Sequence, residues 1–200
     1  HSVDFEGKRV GVVGSAASAV QVIPEVAKTA AHLTVFQRTP NWVIPRRDVP
    51  ITAQEQALMF TEPETAMELG SRQRQLMYDN ADHFFWQAFQ WTTAGREAYT
   101  TIATNHLNDQ VKDPALREKL TPNYPVGCRR ILISDDYFPA LQRDNVELVT
   151  EGPSRVDETG VTTSDGTHRD FDILVFATGF ETTGWNWSVD VEGLGGKHLN

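Results

Sequence analysis

Six small residues in a row, Gly14-Ser15-Ala16-Ala17-Ser18-Ala19, form the stretch of this chain best suited to holding an anion. In a dinucleotide-binding turn, G-x-G-x-x-G or G-x-G-x-x-A, each small residue has a task. The first glycine makes the tight turn, the second lets backbone approach a pyrophosphate, and the third position allows close helix–strand packing. Gly14 and Ala19 fill the first and third roles, while Ala16 puts a methyl where the middle glycine belongs. The N–H groups of Ala16, Ala17 and Ser18 would open a helix whose dipole favours an anion, with the Ser15 and Ser18 hydroxyls as further donors. The same letters equally suit an ordinary strand-to-helix turn, because short motifs also match by chance.

A second feature bears on which nucleotide. A site for NAD carries Asp or Glu about 20 residues beyond the glycines, where it accepts from the ribose 2′-OH. This chain has Gln37-Arg38-Thr39 there, with no carboxylate. A guanidinium and a hydroxyl suit a 2′-phosphate, so NADP(H) is expected over NAD(H). The plain alternative is a solvated surface arginine. Arg129-Arg130 is another concentration of positive charge and, by itself, reads equally as a surface feature. The adjacent Asp135 and Asp136 would point apart on a strand or turn, which favours a capping or solvated role over paired acid–base chemistry. His83 and His106 have no third ligand at metal spacing, so no metal site is expected. Cys128, beside two arginines, has surroundings that would favour a thiolate, but reads first as a small packed side chain.

The elements that must position these residues follow from the apolar pattern. Residues 8–13 are apolar on both faces, like an interior parallel strand. Val20, Ile23, Val26, Ala27 and Ala30 recur at helical spacing over 18–31, with Pro24 as the flaw. Residues 32–38 form a second strand, completing a β-α-β unit with the small-residue turn at its phosphate position. Pro40, Pro45 and Pro50 close this unit off. Residues 52–119 are rich in helix formers, and strand character returns at 129–133, 145–150, 154–166 (a hairpin about Glu158–Gly160) and 171–180. The expected fold is α/β: a Rossmann-like dinucleotide-binding domain with a central parallel sheet and a β-hairpin or meander. The expected division is residues 1–51 and 120–200 for that domain, with 52–119 as a helical insertion.

Composition narrows the function classes. Two hundred residues can bury a real core. The net charge of −9 argues against a nucleic-acid partner, so a cationic ligand site must be local. No apolar run is long enough for a bilayer span and no signal peptide is recognisable, so no membrane association is expected. A single cysteine excludes an internal disulfide and fits a cytoplasmic location. The aromatic stretch 83–91 reads as core of the helical insertion, with a substrate tunnel or subunit contact as the sharper alternative. Trp185 and Trp187 read as exposed where another domain would cover them.

The stretches GKRVGVVGSAASAVQVIPEVA, LTVFQRTPNWVIPRRD, YPVGCRRILISDDYFPALQRDNVELV and DILVFATGF together resemble the NADPH-binding domain of Baeyer–Villiger-type monooxygenases, within the flavin-containing monooxygenase group. They occur in family order at both ends of the chain. The resemblance implies an enzyme using NADPH and FAD, in which a peroxyflavin formed with O2 attacks a ketone to give an ester or lactone. The FAD domain would lie in other segments of the same polypeptide, and the chain alone would carry no flavin. On this resemblance Gly14, Ser15, Ala16, Ala17, Ser18, Ala19 and Gln21 hold the pyrophosphate region. Arg38 and Thr39, assisted by Arg129, bind the 2′-phosphate, and Thr178 and Gly179 line the crossover to the FAD domain. Arg130 is the catalytic arginine that stabilises the anionic peroxide. Arg129 departs from the usual Lys of the family while keeping the charge. The motif separating Baeyer–Villiger enzymes from N- and S-oxygenating relatives would precede residue 1, so those activities and a non-catalytic NADP(H)-binding module remain alternatives. A flavin-free reductase is disfavoured, because no Tyr-Lys or His-Asp pair is placed for hydride transfer to a carbonyl.

Overall fold

A computed structural model describes residues 3–47, 50–80, 93–179 and 192–198. Its frame is a parallel sheet built from β1 (Arg9–Val13), β2 (His32–Phe36), β5 (Val146–Val149) and β9 (Ile173–Phe176), in the order β5-β2-β1-β9. The register sets Val10 beside Leu33 and Ile173, Val12 beside Val35 and Val175, and Leu33 beside Val146. Alternation then sorts the side chains between two faces. Val10, Val12, Leu33 and Val35 join one core with Ala19, Val20, Ile23 and Ala27 of helix α1 (Ala17–Thr29). Phe36 and Val149 face the other way and meet Val161, with Val13, Phe171 and Leu174 packed against them. Apolar side chains thus cover both faces, and even Thr34 of β2 is buried. The architecture is a Rossmann-like α/β fold.

Pro24 lies inside α1 and is buried. The helix continues through it, because its ring packs in the core and only one N–H is lost. α1 stops at Thr29, where Lys28 forms an i,i+3 ion pair with Glu25 and sits in the last turn, the favourable end for a cation.

The second layer is a meander of β6 (Pro153–Val156), β7 (Gly160–Thr163) and β8 (His168–Asp170), antiparallel throughout. Its turns are fastened by aspartates. Asp157 accepts from the N–H groups of Thr159 and Gly160, and Asp165 accepts from the Thr163 and Thr167 hydroxyls and the Thr167 N–H. Those bonds, the Thr163 hydroxyl first, hold the Asp165 carboxyl down at about 2.

Between β2 and β5 the chain forms the two-residue strand β3 (Val43–Ile44), then α2 (Ala53–Thr61), α3 (Pro63–Asn80), α4 (Thr93–Gln110), α5 (Pro114–Leu120), the two-residue strand β4 (Leu132–Ile133) and α6 (Tyr137–Leu141). α2 begins with a capping box between Thr52 and Glu55 and buries no side chain. α4 differs: Tyr99 and Ala103 pack with Ile44, Val126 and Ile131, while Leu107, and Val111 just beyond the helix, join the main core. Thus the helical stretch is not uniformly peripheral, because its second half closes the core under the sheet.

Several boundaries differ from the pattern-based expectation. The strand expected at 129–133 is only Leu132–Ile133, and it pairs in parallel with β3 instead of entering the main sheet. Arg129-Arg130 therefore lie in the irregular segment before a strand. The chain on either side of them is tied to 40–44, through Tyr124 before and Leu132 after, and not to the main sheet. β3, β8 and α6 were not visible in the pattern; all three are too short to show a period. The aromatic stretch 83–91 and Trp185 and Trp187 lie outside the described residues.

Candidate functional site

At the C-terminal edge of the sheet, where the strand order turns back between β1 and β9, lies a cleft of about 520 Å³. This is the edge where open α/β sheets bind ligands. Its lining comes from the exits of the central strands: Val13 to Ala16 after β1, Phe36, Arg38, Thr39 and Asn41 after β2, and Ala177 and Thr178 after β9. Gly152 and Pro153, after β5, and Arg129 complete the rim. Among the described residues two arginines line it and no carboxylate does, in a protein whose net charge is −9. Among the described residues neither Arg38 nor Arg129 forms an ion pair.

The turn after β1 is built around Gly14. Its φ is +117°, and a Cβ there would run into the Ala177 carbonyl. Its N–H donates to the Phe36 carbonyl at 3.0 Å, and the Ala177 N–H donates to Val13 at 2.8 Å. Three strand exits therefore meet at one residue, and only glycine fits there. Ala16 is different. It is the N-cap of α1 with φ −86°, outside the region that calls for glycine, and it is exposed and lines the cleft. No side chain caps α1, and no carboxylate occupies its first turn. The N-terminal N–H groups thus keep their positive potential directed at the cleft. These features fit a pyrophosphate.

The residues singled out beforehand separate into groups. Gly14, Ser15, Ala16, Arg38, Thr39, Arg129 and Thr178 line the one cleft. Ala17 and Ser18 start the helix beside it. Ala19 is fully buried against the sheet, in the helix-packing position. Gly179 follows the rim with φ +94°. Gln21 lies elsewhere, lining a smaller cavity of about 230 Å³ with Glu25, Arg46, Ser134 and Asp136. One turn along α1 rotates it off the face that carries the turn. Arg130 is exposed and is not in the cleft lining. Ser15 is buried and engaged: its hydroxyl donates to the Thr39 carbonyl at 3.3 Å, so it acts as a strut within the loop. Cys128 is exposed, contrary to the packed side chain expected from sequence, because the segment carrying it is surface backbone and not strand. Gln37 is buried and turns away, donating to the Lys119 carbonyl, which leaves Arg38 as the side chain at the end of β2 that reaches the cleft. Asp135 caps a loop, accepting from the N–H groups of Arg46 and Arg47 at 2.9 and 2.8 Å. Among the described residues no group of metal-ligating side chains forms, and no helix is long and apolar enough to cross a membrane.

Sequence reasoning missed Asn41, whose amide donates to the Ser15 carbonyl at 2.9 Å and ties the first turn to the loop after β2. Its position just beyond Arg38-Thr39 was the available signal. Gly152 and Pro153 carried none; their place follows from β5 pairing at the sheet edge beside β2. Tyr124 carried no local signal either. Arg129 lies over its ring, 5.0 Å from the centroid, and burial pushes its phenol above the ordinary value.

No family model matches the chain. A Baeyer–Villiger monooxygenase of Streptomyces coelicolor is 38% identical over 204 residues, which is 100% of this chain and 37% of that protein. Another protein of that name, from Pseudomonas aeruginosa, is 35% identical over 180 residues, covering 90% of this chain and 33% of the relative. An oxidised steroid monooxygenase solved with NADP superposes with a TM-score of 0.73 at 32% identity, over 98% of this chain and 44% of that one. An open cyclohexanone monooxygenase gives 0.76 at 26% identity, over 99% and 45%. The chain spans a third to two-fifths of the length of these curated relatives. Joined to the parallel sheet and its basic cleft, these likenesses mean that the chain belongs to the Baeyer–Villiger-type flavin monooxygenases, matching one continuous part of them.

Proposed function

We propose that this chain is the NADPH-binding domain of an FAD-dependent monooxygenase that inserts one atom of O2 into a ketone. The supporting observation is the cleft itself, which brings the uncapped N-terminus of α1 together with Arg38, Thr39 and Arg129 and, among the described residues, is lined by no carboxylate. In this reading the pyrophosphate lies on the N–H groups of Ala16, Ala17 and Ser18, where the dipole of α1 offsets its charge. Arg38 and Arg129 grip the 2′-phosphate, with the Thr39 hydroxyl as a third donor. Gly152 and Pro153 form the wall on the adenosine side, and Ala177, Thr178 and Gly179 lead toward the nicotinamide end. Gln21 stays outside this path, in the lining of the smaller cavity.

FAD, held by other segments of the same polypeptide, supplies the acceptor for hydride and the chemistry that activates O2. What this chain adds to that step is Arg130. Its exposed guanidinium, next to a residue of the NADPH clamp, is free to meet an oxygen anion in the assembled protein. It stays charged throughout, so it stabilises developing negative charge without giving up a proton. Residues 1–51 and 120–200 form the nucleotide-binding domain and 52–119 an insertion into it. The single cysteine accords with a cytoplasmic protein. The test is a panel of cyclic and linear ketones with the full-length protein, NADPH and labelled O2. Ester or lactone carrying one labelled oxygen supports the reading. NADPH oxidation with label only in peroxide and water, or with oxygenated amines or sulfides alone, contradicts it.

A further inference from the structure

The two cations of the cleft come from segments some ninety residues apart, and one tyrosine connects them. Tyr124 donates its hydroxyl to the Pro40 carbonyl at 3.0 Å, and the Trp42 indole N–H donates to the Tyr124 carbonyl at 2.9 Å. The two bonds form a reciprocal clasp: each aromatic residue binds the other's backbone segment. Pro40 directly follows Arg38-Thr39, so the hydroxyl bond fixes the peptide on which both side chains are mounted. The face of the same ring carries Arg129, with Cζ 5.0 Å from its centroid. Stacking suits a guanidinium better than an ammonium, which gives the arginine at this position a physical reason. On the other side, Asn41 and Ser15 tie the loop to the phosphate turn.

We propose that Tyr124 is the positioning residue for NADPH selectivity: it holds Arg38, Thr39 and Arg129 in one geometry that a 2′-phosphate can bridge. This rests on the assignment of the cleft to NADPH. Without the clasp the cations remain, but each must be ordered by the ligand, and that ordering cost falls on the phosphorylated dinucleotide alone. NADH lacks the group they grip. The stacking contact is worth about two- to fivefold and the hydroxyl bond about fivefold in binding.

The test uses the FAD-loaded full-length protein with Tyr124→Phe, Tyr124→Leu and Trp42→Phe, and with Arg38→Ala alongside. The readout is the ratio of kcat/KM for NADPH to that for NADH. Tyr124→Leu, which loses ring and hydroxyl, should lower the ratio about tenfold, through KM for NADPH and not through kcat. Tyr124→Phe keeps the ring under Arg129 and should lower it a fewfold, as should Trp42→Phe. A Tyr124→Leu protein that loses both substrates equally, or keeps the parent ratio, overturns the proposal. If that variant does not fold, an unchanged ratio in Tyr124→Phe overturns it instead. Arg38→Ala separates the two levels. If it keeps the NADPH preference, the cleft assignment fails. If it loses the preference while the Tyr124 variants retain theirs, the clasp alone fails.

Discussion

Replacing Gly14 by alanine should be far more damaging than replacing Ala16 by glycine, although both changes fall in the same turn. At Gly14 two costs combine. A φ of +117° strains an L-residue, at about 1–3 kcal/mol. The new Cβ also runs into the Ala177 carbonyl, so backbone must shift in a place held by Gly14–Phe36 and Ala177–Val13 hydrogen bonds, which adds about 1–3 kcal/mol as overpacking does. The sum is about 4 kcal/mol. For a unit of this size each kcal/mol lowers the melting temperature by about 2–4 °C, so a fall of about 10 °C is expected. At Ala16 φ is −86° and the residue is exposed, so glycine there should change stability by only a few tenths of a kcal/mol. Melting curves of parent and variants, measured side by side, give the comparison. A Gly14→Ala protein within about 1 kcal/mol of the parent would refute the account of why glycine stands there.

Two further outcomes follow from the same geometry. Arg130→Ala should leave NADPH-driven flavin reduction in place while product formation falls about 100- to 1000-fold, the loss typical of removing one donor to a developing oxyanion; stopped-flow reduction beside product analysis checks this, and normal product yield removes the role. Acid should loosen the join between β1 and β9. Asp172 accepts from the Arg9 side chain and backbone N–H, and these bonds hold its carboxyl down at about 2, below an ordinary 3.8. A lowered folded-state pKa means the contribution is complete above about pH 4 and is lost as pH falls toward 2. Denaturant midpoints at pH 5 and pH 3 should therefore differ less in Asp172→Asn than in the parent, and equal pH dependence would contradict this.

How legible the molecule was depends on the length scale of each signal. The β1–α1–β2 unit announced itself because a buried strand, a 3.6-residue period and a second buried strand span almost thirty residues. The β6–β7 hairpin was signalled by its turn residues about Glu158–Gly160, whereas β8 was too short to show a period. Arg38 was legible because the end of β2 is a known distance from the phosphate turn. The position of Arg129 was legible in type but not in place, since β4 is two residues long and its pairing with β3 is a tertiary choice. Gln21 illustrates the opposite failure: it is near in sequence to the turn, yet helical rotation carries it to another cavity. The roles of Tyr124 and Trp42 depend on hydrogen bonds spanning more than eighty positions, which no local pattern encodes.

The central claim is that this cleft grips a 2′-phosphate. Its most direct measurement is anaerobic flavin reduction in the full-length protein, followed by stopped flow over a range of NADPH and of NADH, in the parent and in Arg38→Ala. Charge-assisted hydrogen bonds are worth about 1.5–3 kcal/mol, so the parent should bind NADPH about 10- to 100-fold more tightly than NADH. Arg38→Ala should bring the two dissociation constants close together. Equal constants in the parent, or an undiminished preference without Arg38, would contradict the account.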